Sequence, residues 1–162
     1  MPISLVRIDD RLVHGQVVEG WMPALGIRRL LVVSDGAAGD PMQRSLMRLA
    51  LPESVALEIV RTRAASAAAA RAASGPDPAL VLAPGPVEVL ALLEGGVRLE
   101  SVNVGGMHYE AGRFQLGKAI FLGRGDITAL EAIAAKGVRL EGRAVPSDQS
   151  TDVLELIRSR SA

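Results

Sequence analysis

Short aliphatic runs separated by helical stretches are the feature of this chain that most narrows its fold. Residues 3–8, 29–34, 55–60, 79–83 and 99–104 each read as a strand. Helical patterns lie between them: 16–25, stopped at Gly26; a helix opened by Asp40-Pro41 and ended by Pro52; the alanine-rich 64–73, ended by Gly75-Pro76; and a helix after Pro84-Gly85-Pro86 running through Leu93. Asp35-Gly36 reads as a polar turn, and Met42, Leu46, Leu49 and Ala50 as the inner side of the second helix. Alanine is the best helix former, so 64–73 is read as a thin helix close to a sheet and not as a linker. Beyond Val104, 114–122 and 138–145 read as strands, 126–136 as a capped helix, and 148–158 as a closing helix with Val153, Leu154 and Ile157 inward. Strands alternating with helices imply a largely parallel sheet covered on both faces. The expectation is one domain over 1–162, an open three-layer α/β/α fold with a mostly parallel central sheet of about seven strands.

Composition narrows the function. Hydrophobic residues are 49% and aromatics only 2%, so the core must be built from Leu, Val, Ile and Ala. The formal net charge is zero and there is no basic block, which removes the electrostatic footprint of a nucleic-acid binder. With no cysteine and two histidines, disulfide and thiol chemistry are excluded and little remains for a soft-metal site. No apolar run reaches the roughly 18–20 residues that span a bilayer, and the chain opens on a strand without a signal-peptide pattern. A cytoplasmic domain is expected.

The polar segment Arg7-Ile8-Asp9-Asp10-Arg11-Leu12-Val13-His14-Gly15-Gln16-Val17 joins the first strand to the first helix, on which Val17, Val18, Trp21 and Leu25 share a face. Such connections carry chemistry because rigid elements hold them on both sides. A neutral imidazole is a nucleophile toward phosphorus, and free N–H groups at a helix start welcome a phosphoryl group. Arg11, three residues before His14, places a guanidinium fork within reach of phosphoryl oxygens. Asp9 or Asp10 is available to orient the imidazole or to hold Arg11.

This loop, with Trp21 in the helix after it, resembles the IIB subunits of the mannose/fructose/sorbose family of the bacterial phosphoenolpyruvate-dependent sugar phosphotransferase system. Leu31-Val32-Val33-Ser34-Asp35, Glu94-Gly95-Gly96-Val97 and Ser101-Val102-Asn103-Val104-Gly105-Gly106-Met107 extend the resemblance over nearly the whole chain. It implies that His14 takes a phosphoryl group from a histidine of a separate IIA partner and passes it to a sugar bound by the membrane subunits IIC and IID. It also implies that Arg11 neutralises charge, with Asp10 orienting the site. No metal or cofactor is implied beyond the covalent phosphohistidine. The family has an antiparallel strand near the C-terminal edge, often dimerises, and works peripherally at the inner face of the cell membrane.

In a parallel sheet the loops after strands one, two, four and five share one rim, where open α/β sheets bind ligands. Backbone N–H groups of Gly15, Gly105 and Gly106 are expected to cradle the phosphoryl group there, two glycines after a strand allowing close approach. The loop Ala83-Pro84-Gly85-Pro86 is less polar than in the family, leaving backbone contacts at Gly85. His108 is a rival to His14 but lacks a following helix and a nearby arginine. Tyr109, Arg113 and Lys118 are candidate partner-surface residues, and Arg7, Arg11 and Arg28 a candidate basic rim. Alternatives are a regulatory carrier without its own transporter, or a non-catalytic module binding a small phosphorylated ligand. A Rossmann enzyme is disfavoured, since the first turn has neither G-x-G-x-x-G nor a P-loop lysine.

Overall fold

In the computed structural model, residues 2–108, 110–117 and 120–161 are described; Tyr109 and Lys118, singled out above, lie outside them. Seven strands form one sheet: β1 (Ile3–Asp9), β2 (Arg29–Val33), β3 (Ala56–Val60), β4 (Ala79–Ala83), β5 (Ser101–Gly106), β8 (Arg139–Gly142) and β9 (Thr151–Asp152), in the order β3-β2-β4-β1-β5-β8-β9. Every pairing is parallel except that of β9 with β8. The central strands β1 and β4 pair Val6 with Val81 and Ile8 with Ala83, and all five residues of β4 are buried. Strands covered on both faces are apolar throughout, which is why β2 and β4 lack the alternation of a half-exposed strand.

Two apolar cores lie on the two faces. One is covered by a π-helical turn (Gln16–Trp21) that runs into α1 (Met22–Leu25), by the short α2 (Asp35–Ala38), and by α3 (Pro41–Ala50). The other is covered by α4 (Ala65–Ser74), α5 (Pro86–Glu94), α6 (Arg124–Ala135) and α7 (Val153–Ser161). Gly26 ends α1 at φ 63°, a left-handed conformation that glycine adopts without strain. Asp40 caps α3 by accepting the N–H groups of Met42 and Gln43. On α4, Ala65, Ala68, Ala69 and Ala72 are buried, so its methyl stripe brings the helix close to the sheet.

Several local expectations need correcting. Asp35-Gly36 is not a turn but the start of α2, because Ser34 accepts the Ala37 N–H at 3.1 Å and caps it. Met42 and Leu49 are 71% and 80% exposed, and Leu46 is exposed too; Met47 and Leu51 point inward. The Arg48 guanidinium, donating to the carbonyls of Val55 and Pro52, ties the end of α3 in that orientation. The expected strand over 114–122 is an antiparallel pair, β6 (Phe114–Gly117) and β7 (Ile120–Leu122), forming a separate two-stranded sheet. The last long strand stops at Gly142, since Asp148 draws the N–H groups of Ala144 and Val145 into a turn before β9. Helix α7 therefore starts at Val153, later than expected. Gly105 and Gly106 belong to β5 and do not follow it.

The alanine face of α4 sets a steric limit. Ala68→Leu should cost about 1–3 kcal/mol by overpacking, lowering the urea midpoint. Ala67→Leu, at an exposed position of the same helix, should stay within about 0.5 kcal/mol.

Candidate functional site

The site is built where β1 ends. Arg7 and Asp9 are two residues apart on a strand, so both point to the same face, the one that the helix after His14 covers. Beyond Asp9 the chain turns tightly. The Leu12 N–H reaches the Asp9 carbonyl at 3.0 Å, and Leu12 sits at φ 58°, a left-handed conformation held by its buried side chain. His14 comes next, its carbonyl accepting from Val17 and Val18 as the helix begins. π-Helical geometry is rare and recurs at functional sites.

The imidazole is held by Asp9: His14 Nε2 lies 2.6 Å from Asp9 Oδ2. The histidine side chain is 14% exposed and the carboxylate is fully buried. Asp9 Oδ2 also accepts from Arg7 Nε and Nη2, at 3.3 and 3.0 Å, while Oδ1 accepts the Arg11 N–H at 3.1 Å. Burial works to raise the proton affinity of Asp9, but His14, Arg7 and the Arg11 amide outweigh it and hold the carboxyl below its ordinary range. An ionised carboxylate only accepts hydrogen bonds, so the proton of the neutral imidazole stays on Nε2. The Nδ1 lone pair is then the nucleophilic one.

Behind Asp9, the buried Arg7 guanidinium uses all its donors. Nη1 donates to Asn103 Oδ1 at 2.6 Å and to the Arg143 carbonyl at 3.0 Å, and Nη2 also reaches Gln16 Oε1 at 3.4 Å. Burial lowers its affinity for the proton, and Asp9 opposes this. A Cβ at Gly105 would coincide with this guanidinium, so the missing side chain is the space Arg7 occupies. Gly106 lies beside Asp9 and His108, and a Cβ on Gly15 would meet nothing.

Of the two adjacent aspartates, Asp9 contacts His14, whereas Asp10 faces the other histidine. Asp10 accepts the His108 N–H at 2.6 Å, and its Oδ1 lies 2.5 Å from His108 Nδ1. An arginine does lie near His108, contrary to expectation: Arg113 donates to the His108 carbonyl at 2.7 Å and pairs with Asp10, Glu110 and Asp126. Arg11 is exposed, three residues before His14 in the chain, its Nη2 3.3 Å from Gln16 Oε1. The expected basic rim does not form, because Arg7 is buried and Arg28 sits before β2, at the opposite edge of the sheet, beside Asp77. In the loop after β4, the carboxyl of Glu88 stands against Gly85, and burial, with Asp35 and Asp126, pushes its proton affinity up. A large cleft, about 630 Å³, is lined by Ile3, Leu5, Ala69, Val97 and Leu99 at the other end of the strands. That cleft is therefore remote from His14, which lies at the carboxyl ends of the strands.

Sequence reading did not single out Gln16, Asn103, Glu141 or Arg143. The signal for Asn103 and Glu141 was a lone polar residue between apolar neighbours in a strand: Val102-Asn103-Val104 and Leu140-Glu141.

Two measurements check this electrostatic account. Asp9 and Glu141 bind protons less readily folded than unfolded, so their stability is present at neutral pH and lost as pH falls below about 4. Glu88 has the opposite sign, its contribution being lost as pH rises through its raised range. In thermal melts, Glu88→Gln should melt above the parent at pH 7 and converge with it near pH 4, while Asp9→Asn should melt below it at pH 7 with a gap that closes in acid. Gly105→Ala, which evicts Arg7 from its buried pairing, should cost about 3–5 kcal/mol by chemical denaturation.

Residues 3–162 match the family model described as "PTS system sorbose subfamily IIB component". The chain is 36% identical over 159 residues to the "PTS system fructose-specific EIIB component" of Bacillus subtilis, covering 98% of both chains. It is 35% identical over 161 residues to the "PTS system mannose-specific EIIAB component" of Escherichia coli, covering 97% of this chain and 49% of that longer one. The crystal structure of the IIBSor domain of the sorbose permease from Klebsiella pneumoniae superposes with a TM-score of 0.91 at 34% identity, over 98% of each chain. Sequence and fold agree, and the chain belongs to the sorbose subfamily of IIB components of the sugar phosphotransferase system.

Proposed function

We propose that this chain is a phosphocarrier, accepting a phosphoryl group on His14 Nδ1 from a phosphohistidine of a IIA partner and delivering it to a sugar carried by IIC and IID membrane subunits. The contact between His14 Nε2 and the buried Asp9 carboxylate carries this reading, since it leaves Nδ1 as the ring nitrogen that Asp9 does not engage, on a side chain that keeps some exposure. In the first step the Nδ1 lone pair attacks phosphorus in line, the N–P bond to the partner's histidine breaks, and its electron pair returns to that imidazole. The positive charge gained by the His14 ring is met by Asp9 through Nε2–H. In the second step a sugar hydroxyl oxygen attacks phosphorus, the His14 N–P bond breaks, and the hydroxyl proton passes to water. Phosphoryl transfer of this kind needs positioning and charge neutralisation above all.

In this reading Arg11, which donates to Gln16 Oε1, turns to neutralise the phosphoryl oxygens, with the Gly15 N–H at the helix start and Gly106, which flanks Asp9, as further contacts. Asp10 serves the rim by anchoring His108. The covalent phosphohistidine is the only cofactor the scheme requires. Mannose, fructose and sorbose all appear among the relatives' names, in keeping with sugar selection by other subunits. No helix among the described residues is long and apolar enough to cross a membrane; in this reading the chain docks to IIC and IID from the cytoplasmic side.

The test is labelling with phosphoenolpyruvate, the general phosphotransferase proteins and a IIA partner. Acid-labile phosphate should appear on the parent and on His108→Ala and be lost in His14→Ala. Asp9→Asn should slow labelling about a hundredfold or more, as losing the carboxylate that fixes a catalytic imidazole does elsewhere. No label with a competent IIA control would favour a non-covalent phospho-ligand module instead.

A further inference from the structure

Three polar side chains stand in a row across three adjacent parallel strands. Arg7 of β1 is in register with Asn103 of β5, and Asn103 with Glu141 of β8. In-register residues share a face of the sheet, and the three are joined directly. Arg7 Nη1 donates to Asn103 Oδ1 at 2.6 Å, and Asn103 Nδ2 donates to Glu141 Oε1 at 3.0 Å. All three are buried. Glu141 is held in turn by Arg143, through Nε and Nη2 at 2.8 and 3.1 Å, and by the Ser150 hydroxyl at 3.0 Å. The Arg143 guanidinium lies over the Trp21 ring, 5.0 Å from its centroid, and Trp21 Nε1 donates to the Ala144 carbonyl.

We propose that Glu141 is a positioning residue for His14, acting along this ladder through Asn103, Arg7 and Asp9. The directions of the hydrogen bonds carry the proposal. A carboxylate accepts only, so Glu141, with the Arg143 carbonyl that takes the other Nδ2 proton at 3.2 Å, requires the Asn103 amide to turn its NH₂ toward β8 and its oxygen toward Arg7. That oxygen, with the Arg143 carbonyl, captures both Nη1 protons and sets the guanidinium so that Nε and Nη2 face Asp9. Asp9, kept ionised and fixed, holds the His14 proton on Nε2. A change some four side chains from the imidazole therefore alters which ring nitrogen is free. Hydrogen-bonded partners behind a reacting group typically tune it in this way.

Glu141→Gln breaks the ladder while keeping its shape. With its oxygen turned to Arg143, its NH₂ meets the Asn103 NH₂, so one Nδ2 proton of Asn103 loses its acceptor while the other keeps the Arg143 carbonyl. The proposal rests on the phosphocarrier reading for its functional consequence, but its first readout does not. In the unphosphorylated protein, long-range ¹H–¹⁵N spectra report the His14 tautomer. Glu141→Gln should raise the Nδ1–H form and slow phosphoryl transfer from phosphorylated IIA roughly tenfold, with IIA binding unchanged. Ser150→Ala, an exposed position that leaves folding intact, should move both readouts the same way by about twofold. Parent-like His14 ring shifts in both variants overturn the proposal even if melting temperatures fall, because that is the outcome of a purely structural ladder. Altered shifts with undiminished transfer overturn it as well. If the parent itself takes no phosphate, the carrier reading fails and the ring shifts alone decide the ladder.

Discussion

The structure around His14 depends on one buried ion pair, Arg7 with Asp9. Removing two charges from water is expensive, and a pair in a protein interior is tolerable only when its remaining donors and acceptors are satisfied. Here they are: Arg7 reaches Asp9, Asn103, Gln16 and the Arg143 carbonyl, and Asp9 takes Arg7, His14 and the Arg11 amide. Room for the guanidinium exists only because residue 105 has no side chain. The gain is in chemistry more than stability, since a carboxylate that stays ionised in the interior dictates where a neighbouring imidazole carries its proton.

Topology puts this pair at a useful place. Strand β1 lies between β4 and β5 in the middle of the sheet, and its connection leaves toward one face while the helices following β4 and β5 pack on the other. Connections that part to opposite faces open a crevice at the carboxyl ends of the strands, where α/β proteins place their ligands. The loop bearing His14 occupies that edge, with the Asp10–His108 contact tying it to the chain beyond β5. Polar side chains fill one part of the sheet face, around Arg7, Asn103 and Glu141, and apolar ones the other, around Leu30, Val32, Leu80 and Leu82.

Much of this was legible in the sequence, for identifiable reasons. Fully covered parallel strands leave unbroken aliphatic runs, so β2 and β4 were found almost to the residue. The alanine helix was legible because propensity and packing agree there. Helix α3 was misread because apolar residues occur on two of its sides, and which side faces the sheet is decided by the ties of Arg48 to the loop that follows. The break within 114–122 has no strong turn signal beyond Gly117. At the site, His14 and Arg11 stood out by residue type and spacing. The choice between Asp9 and Asp10 turned on where β1 ends. A strand reaching Asp9 puts it on the face of Arg7 and sends its neighbour away, and the earlier expected end at Ile8 hid that parity. Asn103 and Glu141 could be joined to the site only through the register of three strands distant in sequence.

On the phosphocarrier reading, Asp9 leaves Nδ1 of His14 as the phosphoryl acceptor. The most direct measurement is to phosphorylate ¹⁵N-histidine-labelled protein enzymatically and locate the phosphorus by its coupling and shift effects on the ring nitrogens. Phosphorus is expected on Nδ1 of His14, with Nε2 still protonated against Asp9. Phosphorus on Nε2 of His14, or on His108, would contradict this assignment.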